Sequence, residues 1–425
     1  MSAVRRLPVV ADLTLVTVGA MTANVAGYLL QLLASRWLGV SGYSPFASLL
    51  AVQLLCAVPA LALQNVVARE VVRGAGIGAA RGLGWRCAAL VAAVAVVLVP
   101  VVSTVLDVGF WASAAALGAA PVLVLLSGEQ GILQGQRRFR ELATVLGGAG
   151  VARVTPAIIV LALGGGTSAA LWAAAAGIAV AAVSARLAAG GAHTVTEPTA
   201  RVRSAGSRPA SARAAQWPTA AESESAGVVA VLRAAQLQAA LMALSSADLI
   251  VSRIVLETDD AGRYALGAVA TKIAFWLPQA VGVVLYPRMA QPQHSAQAVR
   301  SALAVLSAIG VLAVAGAAVA APLAPLFAGQ DYAPVQGLLW LFALDGALLA
   351  VLQAALLSAI AADRTAPAAL TWLGLAAGVA AMLTLAHSVL GLITIATTTA
   401  AITTAVIAAL ALGATRRPQP VTTSI

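Results

Sequence analysis

Charge is scarce in this chain: only 9% of its 425 residues are Asp, Glu, Lys or Arg, and Lys272 is its single lysine. Aromatic residues make up 4%, with two cysteines and three histidines. Each shortage excludes something. A soluble domain of this length carries about 25% charged residues. Cys56 and Cys87 form no CxxC pair, so neither a disulfide framework nor a zinc ribbon is expected. His193, His294 and His387 stand far apart in the sequence, which argues against a metal site. No Walker A or other glycine-rich phosphate loop occurs, so neither ATP nor a resident cofactor is expected.

What fills the chain instead is apolar sequence, 61% of residues, with a mean hydropathy of +0.95. Such a chain belongs in a bilayer, whose hydrocarbon core of about 30 Å takes roughly 20 apolar residues per helix. By that ruler twelve spans lie near 10–34, 44–66, 87–106, 111–133, 142–163, 167–187, 231–255, 262–286, 301–321, 335–358, 367–386 and 389–412. The runs lack period-two alternation, which excludes an outer-membrane barrel. The expected fold is an all-α polytopic membrane protein of two pseudo-symmetric six-helix bundles, 1–187 and 231–425. Between them, 188–230 is rich in Ala, Arg, Ser, Pro and Thr and reads as a disordered cytoplasmic linker.

Orientation follows from the arginines. All basic residues except Arg36, Arg153, Arg253, Arg263 and Lys272 fall in the termini or the even-to-odd loops, while the opposite loops hold Asp107, Glu257, Asp259, Asp260 and Asp331. Cationic loops stay cytoplasmic, so both termini are expected inside. The net charge of +10 then reflects this bias and attraction to anionic lipid, and calls for no nucleic acid. The apolar run after Arg5 and Arg6 is too long for a cleaved signal peptide and reads as an uncleaved first helix.

The chain also repeats itself. Ser35-Arg36, Gly42-Tyr43, Pro59 and Arg69 recur as Ser252-Arg253, Gly262 with Tyr264, Pro278 and Arg288, and in each copy the proline precedes the last arginine by ten positions. Two related membrane halves around a central site are the plan of a transporter. Pro59 and Pro278, the repeat pair, are candidate hinges, since a proline removes a backbone hydrogen bond.

Charges inside spans carry the chemistry, because each costs several kcal/mol in lipid unless it faces a cavity or a partner. Arg153 lies near the bilayer centre in span five. Lys272 and Asp248 lie at similar depth in spans eight and seven, and either line a cavity or form a structural ion pair. Glu129 and Asp345 in spans four and ten are further candidates. Gln238, Ser245, Asp248 and Ser252 fall within about 80° on a continuous helix, and Thr17, Asn24, Gln31 and Ser35 within about 40°. The alignment matches Gln31 to Asp248. Serines and threonines in such stripes also glue helices together.

Three segments resemble a known family. The run from Ala247 to Arg253, with Gly262-Arg263-Tyr264-Ala265-Leu266, Leu277-Pro278 and Tyr286-Pro287-Arg288, resembles the seventh and eighth helices of polysaccharide flippases of the multidrug/oligosaccharidyl-lipid/polysaccharide exporter superfamily. Ala34 to Tyr43 resembles that family's first outer loop, and Leu133 to Phe139 its fourth-to-fifth loop. The resemblance implies an ATP-independent, alternating-access flippase that turns a polyprenyl-phosphate-linked or diphosphate-linked glycan to the outer leaflet of a bacterial plasma membrane, alongside polysaccharide-assembly proteins. In that account Arg153, Lys272, Arg253 and Arg36 hold the phosphate linkage, and polar residues such as Gln31 and Asn24 wet the sugar. Asp248, with Asp345 and Glu129, carries a coupling proton or sodium ion. The lipid II and multidrug branches share the architecture; the first is disfavoured because span one carries no basic residue before Arg36. A membrane glycosyltransferase or polymerase would need a long outer loop, and every outer loop here is short. A non-transporting assembly scaffold is the remaining alternative.

Overall fold

The computed structural model describes residues 6–190, 231, 236, 238–276, 295–361 and 366–414. Among them there is no strand. Helices run over Arg6–Cys56 (α1), Val58–Val72 (α2), Ile77–Val105 (α3), Phe110–Gly135 (α4), Phe139–Ala162 (α5), Thr167–Gly190 (α6), Ala247–Val255 (α7), Thr258–Trp276 (α8), Ser295–Ala320 (α9), Leu339–Ala361 (α10), Ala366–Leu385 (α11) and Val389–Ala414 (α12). Nine stretches among the described residues are long and apolar enough to cross a membrane.

The first of these, Thr14–Val72, is 59 residues long, far too long for one crossing at 1.5 Å per residue. It folds in two at Gly39, whose φ of 66° and ψ of −179° belong to a region essentially reserved for glycine. Contacts along its limbs establish the reversal. Gly19 meets Ala143 near the start of α5, Thr167 at the start of α6 donates to the Gly42 carbonyl at 3.2 Å, and Gln64 donates to Gln134 near the end of α4 at 3.2 Å. The chain therefore crosses, turns and crosses back. The outer loop expected over 35–43 is helix on both sides of one glycine.

With that fold counted as two crossings, and with the shorter apolar helix Ala369–Leu385 and the charge-bearing α8 included, twelve spans form two bundles of one plan. The fourth span of each half is the hub. In the first half α4 packs on the second limb of the hairpin, α3 and α6; in the second half α10 packs on α8, α9 and α12. The fifth span of each half, α5 or α11, lies against the sixth and the first. Lipid supplies no hydrophobic drive between helices, so close backbone approach holds them together. A side chain on Gly131 would strike the Gln64 carbonyl, one on Gly177 the Ala152 carbonyl, and one on Gly346 the Thr271 carbonyl. The first limb of α1 packs against α8 and forms the seam between bundles.

Two further expectations change. Span seven is not one helix: residues 238–244 are helical, Ser245 and Ser246 form a turn, and α7 restarts at Ala247. The connection after α9 is a string of short turns, including a helix Ala324–Ala328, tucked against α1. The segment 191–230, most of the expected linker, lies outside the described residues, as does Pro278.

Candidate functional site

The broken seventh span presents the polar centre of the second half. Asp248, in the first turn of α7 and 3% exposed, accepts a hydrogen bond from the Tyr264 hydroxyl at 2.7 Å. Asp345 on α10, equally buried, and Lys272 on α8 lie close enough to act electrostatically on Asp248 and on each other. Lys272 closes no ion pair with either acid among the described residues; its ammonium donates to Ser246 Oγ, in the break itself, at 3.4 Å. The Tyr28 hydroxyl crosses the seam to the Lys272 carbonyl at 3.2 Å. Two acids, a lysine, a tyrosine and a broken helix thus converge behind the seam.

The first half is built differently. Arg153 on α5 donates through Nη2 to Gln53 Oε1 at 2.9 Å, and its Nε is buried with no partner. A buried guanidinium with spare donors is suited to an acceptor brought from outside. The described bonds do not join Arg153 to Lys272: each has its partner within its own half. The Gln31 amide donates to the Gly27 carbonyl one turn back at 3.5 Å, and Asn24 is half-buried on the same limb. Ser35, Ser245 and Ser252 turn their hydroxyls onto carbonyls of their own chain segments, so the two polar stripes are largely satisfied locally. The break at Ser245 and Ser246 also ends the continuous angular relation assumed for span seven.

Arg36 and Arg253 were expected to hold substrate. The structure puts both on backbone carbonyls across the seam. Arg36 donates to the carbonyls of Leu326 at 3.1 Å and Phe327 at 3.5 Å. Arg253 donates to those of Leu106 at 2.9 Å and Asp107 at 3.0 Å, with Ser44 Oγ at 3.4 Å. Arg253 therefore grips the end of the third span of the first half, and Arg36 the last turn of the short helix Ala324–Ala328 that follows the third span of the second. The reason is physical: the last carbonyls of a helix lack intrahelical donors and carry the negative end of its dipole. Around the latches Tyr332 donates to the Ser35 carbonyl at 3.3 Å and packs edge-on to Tyr43, while Gly262 leaves no room for a side chain beside the Val40 carbonyl. The seam is closed at this end.

Glu129 sits elsewhere, in a two-pronged ion pair with Arg81 at 2.8 and 3.0 Å, apart from Asp248 and Lys272. Pro59 lies one residue into α2, just beyond the interruption at Ala57. An apolar hollow of about 390 Å³ opens where Leu32 of α1 meets Leu266 and Ile273 of α8, Gly316 of α9 and Phe327. Sequence reasoning passed over Gln53, Ser246 and Tyr28, neutral residues without a pattern. Tyr264 was within reach, since it is the repeat partner of Tyr43.

No protein-family model and no curated protein matches the sequence. The fold does match solved structures. It superposes on the lipid II flippase MurJ in an inward closed conformation with a TM-score of 0.73 at 10% identity, over 94% of this chain and 87% of that one. For an inward-facing multidrug resistance MATE family transporter of the MOP superfamily the TM-score is 0.70 at 13% identity, over 93% and 94%. An outward-facing structure of that description gives 0.60 at 12% identity, over 96% of both chains. At these identities the likeness shows the shared all-α, two-bundle fold.

Proposed function

We propose that this chain is an alternating-access flippase that carries a polyprenyl-(di)phosphate-linked oligosaccharide from the cytoplasmic to the outer leaflet for cell-surface polysaccharide synthesis. One observation carries the reading: two half-buried cations, Arg153 and Lys272, lie behind a seam latched shut on one side. Arg153, with unspent donors, and Lys272, paired only with a hydroxyl, are the groups for the phosphate linkage, since charge-assisted bonds are strong in a low-dielectric cavity. Gln31 and Asn24 face the sugar. The apolar hollow beside α1 and α8 suits the hydrocarbon tail. The higher TM-scores against the lipid II flippase in its inward closed conformation and the inward-facing multidrug transporter, compared with the outward-facing one, support an inward state with its outer side closed.

Asp248 and Asp345 are the coupling pair, taking a proton or sodium ion in one access state, with the break at Ser245 and Ser246 as the element that responds. Discontinuous helices are where transporters of this kind place such sites. Glu129 drops out of the ion-coupling set, and Arg36 and Arg253 become gate residues rather than substrate ligands. The bundles 1–187 and 231–425, tethered through 188–230, move against one another in a bacterial plasma membrane with both termini inside; polysaccharide-assembly proteins supply and remove the glycan. No covalent chemistry is assigned to the chain.

The two acids also suit a cationic drug, the multidrug reading. Proteoliposomes separate the two. Fluorescent lipid-linked oligosaccharide should change leaflet with wild-type protein and at least tenfold more slowly with Arg153→Ala or Lys272→Ala, as loss of a buried charge-assisted bond implies, at about tenfold per 1.4 kcal/mol. Unchanged transfer in both variants, or uptake of an organic cation in place of glycan, overturns the proposal.

A further inference from the structure

Away from the seam, α3, α4 and α6 enclose a second hollow of about 180 Å³ near their inner ends. We propose that it binds the phosphate of an anionic phospholipid, as a site separate from the transport pathway. Its walls carry two arginines, Arg81 and Arg186, one carboxylate, Glu129, and Trp85, which is 56% exposed. Arg81 Nε and Nη2 donate to the two Glu129 oxygens at 2.8 and 3.0 Å, and Nη2 also reaches the Arg186 carbonyl at 3.4 Å. That fork fixes the Arg81 guanidinium plane and neutralises Glu129. The charge left over in the hollow is the single positive charge of Arg186. Neither Arg81 Nη1 nor the Arg186 guanidinium donates to any described residue. One net positive charge with unspent donors matches one phosphodiester. A zwitterionic headgroup would bring its own cation into the same space.

Depth agrees with charge. Arg81 stands four residues after the start of α3 and Arg186 four before the end of α6, about 6 Å from those ends, where headgroups rather than chains lie. Trp85 is one turn deeper, at the level of an interfacial aromatic belt. This side of the molecule faces lipid: Val96 and Val97, further along α3, are 73% and 67% exposed. Basic pockets between membrane helices on the cytoplasmic side are the recognised kind of site for acidic headgroups. The proposal uses no residue assigned to transport, so it stands or falls independently of the flippase reading.

The test reads Trp85 fluorescence in nanodiscs, with Trp85→Phe subtracted to isolate its signal from the other tryptophans. Chain-brominated phosphatidylglycerol should quench Trp85 about fivefold more effectively than chain-brominated phosphatidylcholine at equal mole fraction, the enrichment expected from one well-placed arginine. Arg186→Gln, on an exposed side chain that the fold does not need, should bring the two lipids level. The paired variant Arg81→Gln with Glu129→Gln, which leaves the net charge of the hollow unchanged but removes the Arg81 donors, should reduce the preference. Arg140→Gln, exposed at the same end but outside the hollow, should retain it. Excess inorganic phosphate should leave the quenching unchanged. Equal quenching by both lipids in the wild type overturns the proposal, as does a preference that survives Arg186→Gln or is lost equally with Arg140→Gln. Displacement by inorganic phosphate would assign the hollow to a soluble anion instead.

Discussion

In the first half of the molecule a half-buried arginine, Arg153, meets a neutral amide, Gln53, and keeps an Nε unpartnered among the described residues; in the second half a half-buried lysine, Lys272, shares its surroundings with two acids and a tyrosine. The scaffolds around these centres follow one plan, hub helix to hub helix. Each half also interrupts a helix within about a turn of its charged centre, at Ala57 in span two and at Ser245 and Ser246 in span seven. Those spans are not repeat partners. The two halves therefore share a packing plan while their interiors differ, one holding an arginine with a spare donor and the other a lysine among two acids. The shared packing rests on close glycine contacts that leave no room for a side chain, whereas a polar centre needs only internal satisfaction.

The largest test of that contrast removes one partner from each centre. Lys272→Met leaves Asp248 and Asp345 without their cation and should lower stability by about 3–5 kcal/mol, read as thermal unfolding in detergent; adding Asp345→Asn should recover part of the loss. Gln53→Leu leaves Arg153 with one acceptor fewer and should cost only about 1–3 kcal/mol. Equal losses would mean that the halves do not differ in kind.

The repeat-related tyrosines sharpen the same comparison at smaller scale. Tyr264 and Tyr43 are both fully buried, but the Tyr264 hydroxyl serves Asp248 while the Tyr43 hydroxyl has no partner. Tyr264→Phe should therefore destabilise by about 1–3 kcal/mol, and Tyr43→Phe should be neutral or slightly stabilising. A loss at Tyr43 matching that at Tyr264 would break the distinction.

At the seam the halves act alike, and the contrast should shrink to one of degree. Val40→Cys, in a background with Cys56→Ala and Cys87→Ala, reports opening through its alkylation rate from the outer side. Arg253→Gln, which loses two short carbonyl bonds, should raise that rate about tenfold, and Arg36→Gln, with one short bond, about threefold, at about tenfold per 1.4 kcal/mol. No change in either variant would leave the latches without a gating role.

These outcomes bear on how far the chain could be read without coordinates. The spans were legible because lipid demands about 20 apolar residues per crossing, and the two-bundle plan because Ser35-Arg36 and Ser252-Arg253 recur. The reversal between the first two spans was legible as a loop over 35–43, but its narrowing to one glycine, Gly39, with helix on both sides was not. The break at Ser245 and Ser246 was invisible because serines inside helices ordinarily bond back to carbonyls a turn earlier, as Ser245 does to Met242. Asp248, Asp345 and Lys272 could be flagged by the cost of charge in lipid and were indeed brought together. Gln53 could not, being neutral and a hundred residues from Arg153. Arg36 and Arg253 were recognised as a pair, but their carbonyl partners were not, because helix-end carbonyls have no side-chain signature.

The smallest expected effect concerns Pro59. The Ala57 amide still reaches the Gln53 carbonyl at 3.0 Å, and the Leu61 amide reaches back to Ala57 at 3.3 Å, so the helix is pinched rather than severed and only the proline's missing donor separates α1 from α2. Pro59→Ala restores that donor and should stabilise span two by well under the roughly 3 kcal/mol an interior proline costs, because the chain around it has already adapted. If the pinch lets Gln53 swing away from Arg153 when an acceptor arrives, the straightened helix should slow glycan transfer about twofold while leaving the Val40→Cys alkylation rate unchanged. Ser246→Ala gives the matching measurement in the second half, where the break holds the Lys272 partner: there a slowed transfer should be accompanied by altered ion dependence. Equal and purely kinetic effects in both variants would make the two interruptions interchangeable hinges, and the division of labour between the halves would then rest on Arg153 and the acid pair alone.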